Sequence, residues 1–267
     1  MNKRRTFMSL LHHGITFLDF DGLYNYQNRL TSSLPHRWAD LRWLRGTSLY
    51  CSPDAFRVIR EKLRSLPDKG LTFLGSGNYH YAALALLEEI RRPFTLVLFD
   101  HHTDLNEGQI GSLLSCGSWV CHAVKGLPKM KRAIIIGPQP LSIQNISGPF
   151  RHQVIVIPEN HMPSDQRILS LIPADTIYIS IDKDVLSPQF ARTNWDQGHL
   201  TLDTLCRLIR LLTGSKETAG IDICGEWPIR PHEQLNSAAK LNIRINEKSN
   251  LVLARMIAAT LSRSSVS

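Results

Sequence analysis

The sequence predicts an α/β fold, a three-layer α/β/α sandwich built on a mainly parallel sheet. Two observations predict it. Short β-rich runs recur along the 267 residues, most of them apolar throughout, which marks strands covered on both faces. Helical patterns lie between several of these runs, as crossover connections require.

The runs are Ile15–Phe20, Leu71–Leu74, Phe94–Phe99, Ala133–Ile136, Val154–Ile157, Thr176–Ile181 and Ala219–Cys224. Pro53 to Leu66 places Phe56, Ile59, Leu63 and Leu66 at helical spacing, behind a Ser52-Pro53 start. Tyr81 to Ile90 is helical by composition, and Thr201 to Leu212 carries Leu202, Leu205, Leu208, Ile209 and Leu212. A last helix is expected from Asn250 to Leu261, capped by Asn250 or Ser249. No repeat and no Pro-, Gly- or Ser-rich linker divides the chain, so residues 1–267 are expected to form one domain.

Composition narrows the function. Hydrophobic residues make up 43% and charged residues 20%, enough apolar material for a core and too much for disorder. The net charge is +8, but the basic residues are scattered in short groups (Lys3-Arg4-Arg5, Arg91-Arg92, Lys129 with Lys131-Arg132). They form no nucleic-acid footprint. No apolar run reaches the ~20 residues of a membrane helix. The run from Phe7 to Leu11 is too short for a secretory signal. Five cysteines without a CxxC pair fit a reducing compartment, so a cytoplasmic location is expected.

Chemistry gathers after three strands, where ligands bind in such sheets. Phe94–Phe99 runs into Asp100-His101-His102-Thr103-Asp104. On an extended segment Asp100, His102 and Asp104 point the same way and His101 the other. Thr176–Ile181 runs into Asp182-Lys183-Asp184, with Lys183 directed away from both carboxylates. Leu71–Leu74 runs into Gly75-Ser76-Gly77-Asn78-Tyr79-His80, a Gly-rich turn that delivers an imidazole. A single strand-ending Asp is commonly a turn residue or cap, as Asp19 and Asp21 are expected to be. Four clustered carboxylates repel one another unless cations neutralise them, and two divalent ions match their charge. Carboxylate and imidazole donors suit manganese, iron or zinc, and the joint pattern predicts a two-metal site.

These segments resemble the arginase/ureohydrolase family, which includes arginases, agmatinases and formiminoglutamases; the chain reads as a divergent member. Asp100-His101-His102-Thr103-Asp104 is similar to the family's D-A-H-x-D. Ser180 to Pro188 is similar to S-x-D-x-D-x-x-D-P, and Gly77 to His80 to a loosened G-G-D-H. Gly198-His199-Leu200-Thr201 is similar to G-G-L-T. Glu226, in Gly225-Glu226-Trp227-Pro228, falls where the family has a Glu followed closely by Pro. The resemblance spans about Gly70 to Pro228.

The resemblance implies a binuclear manganese hydrolase that cleaves a C–N bond of a guanidino or amidino compound through a metal-bridging hydroxide. It implies one Mn2+ on His80, Asp100, Asp104 and Asp182. The second would lie on His102, Asp100, Asp182 and Asp184. Asp104 would also move the proton, and Glu226 would hold the cationic guanidinium. Asn106, Trp119 and Trp195 would line the substrate site, and Asp196 would meet a substrate amine. The family often forms homo-oligomers.

Three positions depart from the pattern. Asn78-Tyr79 replaces Gly-Asp, Ser187 replaces the last Asp, and Cys116 stands near the family's usual His. A thiol with an ordinary pKa near 8.5 is a poor substitute for an imidazole near 6.5 as a proton shuttle. Two alternatives follow. One is a metal-binding member that has lost catalysis. The other is a single-zinc amide hydrolase like the deacetylases of this fold, in which Asp104 and Asp184 would be superfluous.

Overall fold

The computed structural model describes residues 14–67, 69–107, 113–140, 152–229, 233 and 236–262. The basic and apolar groups between Lys3 and Leu11 lie outside them. Eight strands are β1 (Ile15–Asp19), β2 (Arg37–Asp40), β3 (Leu71–Phe73), β4 (Phe94–Phe99), β5 (Met130–Ile136), β6 (Val154–Ile157), β7 (Thr176–Asp182) and β8 (Glu217–Cys224). They form one sheet in the order β2-β1-β3-β8-β7-β4-β5-β6, and every neighbouring pair is parallel.

All seven expected strands are present. The additional one, β2, is an edge strand with a polar, mostly exposed sequence, so it lacks the apolar run that marks the others.

Among the described residues are seven α-helices: α1 (Asn28–Ser33), α2 (Pro53–Arg64), α3 (Ala82–Leu87), α4 (Trp119–Gly126), α5 (Asp165–Ser170), α6 (Leu202–Ser215) and α7 (Ser237–Ser262). They divide between the two sheet faces because strand side chains alternate. In β4, Leu96 and Leu98 join Ile59 and Leu63 of α2 and Trp119 of α4 in one core. Val97 and Phe99 join Leu205 and Leu208 of α6 and Leu253 and Ile257 of α7 in the other. The result is the expected three-layer sandwich.

Caps fix where helices begin. Ser52 Oγ accepts from Ala55 N at 3.2 Å, with Pro53 in the first turn, and Thr201 Oγ1 accepts from Thr204 N at 3.2 Å. The last helix is longer than its sequence suggests. It starts at Ser237, where Asn236 Oδ1 accepts from Ala238 N at 2.8 Å, so Ser249 and Asn250 are interior residues and not caps. Both are buried, Ser249 against Phe190 O and Asn250 against Gln27 and Glu226.

Ile179 occupies the middle of β7, fully buried and in register with Val97 and Ile221. Ile179→Ala is expected to lower stability by about 2–5 kcal/mol, read as a shifted denaturant midpoint at unchanged slope.

Candidate metal centre

The strands β3, β8, β7 and β4 are consecutive in the sheet, so their carboxyl ends open on one crevice. Each contributes through a different local device. Asp182 is the last residue of β7. Its Oδ1 accepts from Asp184 N at 3.0 Å and starts a 3-10 turn, Lys183–Val185. That turn puts both carboxylates on the crevice side and sends Lys183 elsewhere.

Asp100 follows β4 directly. Asp104 does not reach it by strand alternation, since the chain bends after Asp100 and Asp104 has φ +51°. The bend is pinned by Val120 N, which donates to Asp104 O at 3.2 Å, and by Trp119 Nε1, which donates to Asp104 Oδ2 at 2.7 Å. His80 arrives through a 3-10 turn, Gly77–Tyr79, after β3. A Cβ on Gly77 would lie 2.9 Å from Asp182 Oδ2, so the close approach of this turn requires glycine.

These devices bring all six expected donors together. His80 Nδ1 lies 3.2 Å from Asp104 Oδ2, 3.3 Å from Asp100 Oδ2 and 3.6 Å from Asp182 Oδ2. His102 Nδ1 lies 2.8 Å from Asp184 Oδ2 and 3.5 Å from Asp100 Oδ1. Five of the six are buried and His102 is half-buried. Two compact donor groups result, one of His80, Asp100 and Asp104 and one of Asp100, His102 and Asp184. Within each, the ligand atoms are mutually within 4.8 Å, and Asp100 belongs to both.

The tautomer of His80 follows from its neighbours. Ser180 Oγ donates its one proton to Asp222 Oδ1 at 2.7 Å. It therefore accepts from His80 Nε2, 2.9 Å away. His80 Nδ1 then faces the three carboxylate oxygens, an arrangement of acceptors around one point that suits positive charge there.

Charge tells the same story. Burial and the charge of Asp100 raise the pKa of Asp104 to about 6, and the same two causes raise that of Asp182. Burial, then Asp182 and Asp100, raise that of Asp184 strongly. Burial opposes charge on His102, yet the hydrogen bonds it donates to Asp100 and Asp184 push its pKa up to about 12. The metal-free cluster thus holds protons where cations would otherwise sit.

The arginase-family profile matches residues 24–246. The chain belongs to the arginase family. It is 31% identical over 228 residues to a Thermotoga maritima protein described only as uncharacterized, covering 83% of this chain and 86% of that one. It is 24% identical over 200 residues to an agmatinase of Bacillus subtilis, covering 69% and 66%. Among solved structures, the proclavaminate amidino hydrolase of Streptomyces clavuligerus superposes with a TM-score of 0.66 at 16% identity, covering 96% and 94%. The agmatine ureohydrolase of Thermoplasma volcanium does so at 0.63 and 12%, covering 100% and 98%. At these identities the two structures speak to the fold.

In this arginase-family chain the six donors face a cavity of about 440 Å³. Asn106, Cys116 and Trp195 line it, beside Leu49, Tyr50 and Ser115. Burial first, then the charge of Asp104, pushes the Cys116 thiol up to about 12, so it holds its proton at neutral pH. His101 turns away from the cavity; its Nε2 meets Gln139 Nε2 at 2.8 Å. Asp19 and Asp21 serve turns, accepting from Gly22 N at 2.6 Å and Leu23 N at 3.3 Å. Asp196 is exposed and does not line the cavity.

Two expected site residues are placed differently. Trp119 is fully buried and steadies Asp104 from behind, so it is not a cavity wall. Glu226 is 1% exposed and its carboxylate turns away from the cavity. It pairs with Lys183 Nζ and accepts from Gln27 Nε2 at 2.8 Å and Asn250 Nδ2 at 2.6 Å. Gly225, at φ +85°, sets that direction; a Cβ there would collide with Asp182 Oδ1 and Lys183 N. The expectation that Glu226 holds a guanidinium is therefore corrected. Cys224, not singled out in the sequence, joins His80 and Asp182 in a third group of mutually close donors.

Lys183 and Glu226 are both inaccessible to water. Lys183→Met, which strands Glu226 without a cation, is expected to cost about 3–5 kcal/mol. Adding Glu226→Gln should recover much of that loss, measured as a double-mutant cycle in denaturant melts.

Proposed function

We propose that the chain is a binuclear metal-dependent hydrolase acting on a C–N bond of a small guanidino or amidino compound, its described sheet and helices working as one unit. The observation that carries this reading is the convergence of His80, Asp100, His102, Asp104, Asp182 and Asp184 on one cavity wall. Asp100 lies between the two imidazoles and is suited to both cations; Asp182 closes the gap between Asp100 and Asp184. The position bounded by Asp100, His102 and Asp184 offers only oxygen and imidazole donors, which fits manganese. Two divalent cations held by these residues would supply Lewis acidity and would acidify a water enough to attack at neutral pH.

The chain's own residues supply the rest. Asp104 borders the cavity beside the donor cluster, so its carboxylate can take the proton from attacking water and return it to the departing nitrogen. Its hydrogen bond from Trp119 Nε1 fixes which oxygen is free to do so. Trp195, edge-on to His102 at 5.8 Å between ring centroids, offers a flat wall on which a planar cation stacks. Asn106 at the rim presents an amide to the far end of the substrate.

The capture of Glu226 by Lys183 favours a second reading, a family member that binds metal and a guanidino ligand without turnover. The two separate in one assay. Metal-loaded protein is incubated with arginine, agmatine and guanidinobutyrate. The leading reading expects urea from at least one; ligand binding without urea supports the second.

Elemental analysis is expected to give two divalent ions per chain. Asp182→Ala should lose both together, whereas His102→Ala should lose one; retention of two ions by Asp182→Ala would refute the sharing. The pH response follows from the raised carboxyl pKa values. Cations must displace protons from Asp104, Asp182 and Asp184, so apparent affinity should fall as pH drops through about 6. Calorimetric titration should accordingly detect proton release on binding that grows toward the acid side.

A further inference from the structure

We propose that Cys224 is a sulfur ligand to the cation held between His80 and Asp182, making that position selective for a thiophilic divalent ion such as zinc or ferrous iron. The inference rests on the metal centre proposed above but concerns a residue outside its oxygen and nitrogen donor set.

Cys224 ends β8 in register with Asp182 at the end of β7, and it is fully buried. Its Sγ lies 3.1 Å from Asp182 Oδ2, the oxygen that is 3.6 Å from His80 Nδ1. Sulfur, imidazole nitrogen and carboxylate oxygen are thus mutually within 4.8 Å.

The placement of this sulfur is set by both of its flanks. Asp222, two residues earlier on the same strand face, is held by Ser180, which is itself bonded to His80. This fixes that face of β8 toward the imidazole. On the other side Gly225 has no side chain and lets the strand end close on Asp182 and Lys183. His80 Nδ1, which also faces oxygens of Asp100 and Asp104, marks the same spot as one that favours positive charge.

Cysteine, histidine and aspartate are together a zinc-type donor set, and thiolate favours soft ions over manganese. On coordination the Sγ–H bond breaks, its proton goes to solvent, and a sulfur–metal bond replaces it. The two positions then differ in kind. The one on His102 and Asp184 is built of hard donors, and the one on His80 carries sulfur.

Cobalt(II) titration of the full chain tests this by spectroscopy. The wild type is expected to develop a near-ultraviolet thiolate-to-cobalt charge-transfer band. Cys224→Ser should lack it, and Cys116→Ser, altered at the thiol that borders the cavity, should keep it. Cys224→Ser should also weaken zinc binding about tenfold or more and manganese binding markedly less. Two bound cobalt ions without the band would overturn the sulfur ligand and leave the binuclear centre standing. A band lost in Cys116→Ser but kept in Cys224→Ser would overturn it too. Failure to bind cobalt at all would overturn both readings. The wild-type spectrum decides even if Cys224→Ser fails to fold.

Discussion

The structure is organised around the mutual repulsion of four buried carboxylates. Two unit charges about 4 Å apart cost about 4 kcal/mol even at an effective dielectric constant near 20. A domain of ordinary stability, about 5–15 kcal/mol, cannot hold several such pairs uncompensated. Two imidazoles share the crevice, and protons can neutralise the rest only by giving up the ligand lone pairs. The lysine closest in sequence, Lys183, is already committed to Glu226. The sheet order β3-β8-β7-β4 brings the acids together, and no residue of the turn that bears two of them is available to relieve them. That imbalance is the physical case for cations.

The Lys183–Glu226 pair explains how the turn beside the crevice is held. A buried ion pair is a weak stabiliser by itself, and it persists when its remaining hydrogen-bonding capacity is filled. Here Gln27 and Asn250 fill it, and Asn250 Nδ2 also donates to Gln27 Oε1 at 2.8 Å. One network therefore ties the segment before α1, the ends of β7 and β8, and the middle of α7. It holds the turn Lys183–Val185 in the orientation that aims Asp182 and Asp184 at the cavity. The same network keeps the Glu226 carboxylate off the cavity wall, so in the proposed reading recognition of a cationic group would fall to Trp195 and the clustered acids. Glu226 acts on the site through Lys183, as a positioning residue.

Much of this was legible in the sequence because the signals were strong and local. Fully covered strands read as unbroken apolar runs, and seven of eight were found that way. The polar edge strand Arg37–Asp40 offered no such run. Asp182 and Asp184 could be read as a pair because a spacing of two serves a 3-10 turn as well as a strand. Asp100 and Asp104 meet as expected but for another reason, a left-handed turn anchored on α4, which alternation does not describe. Asn250 looked like a cap because the segment before it is polar, and its burial depends on Gln27 and Glu226, both distant in sequence. The direction of Glu226 was unreadable for a similar reason. It hangs on the φ of Gly225 and on a lysine 43 residues away. Cys224 carried no motif; only the pairing of β7 with β8 sets it beside Asp182.

The division between strand ends and loops separates what this chain holds fixed from what it can vary. The metal donors sit on, or one turn beyond, four adjacent strands, where backbone pairing fixes their separation. The outer cavity wall comes from elsewhere. An isolated antiparallel bridge joins Tyr50 to Ser115, and Cys116 N donates to Leu49 O at 2.9 Å. Asn106 is held to the same wall, its N donating to Gly117 O at 3.0 Å. A wall joined by so few bonds can change its side chains without moving the donors behind it. On the proposed reading, chemistry would be a property of the sheet, and substrate choice a property of the 49–50 and 115–117 segments. Cys116 belongs to the second group: with its thiol protonated at neutral pH, it shapes the substrate space more readily than it carries protons.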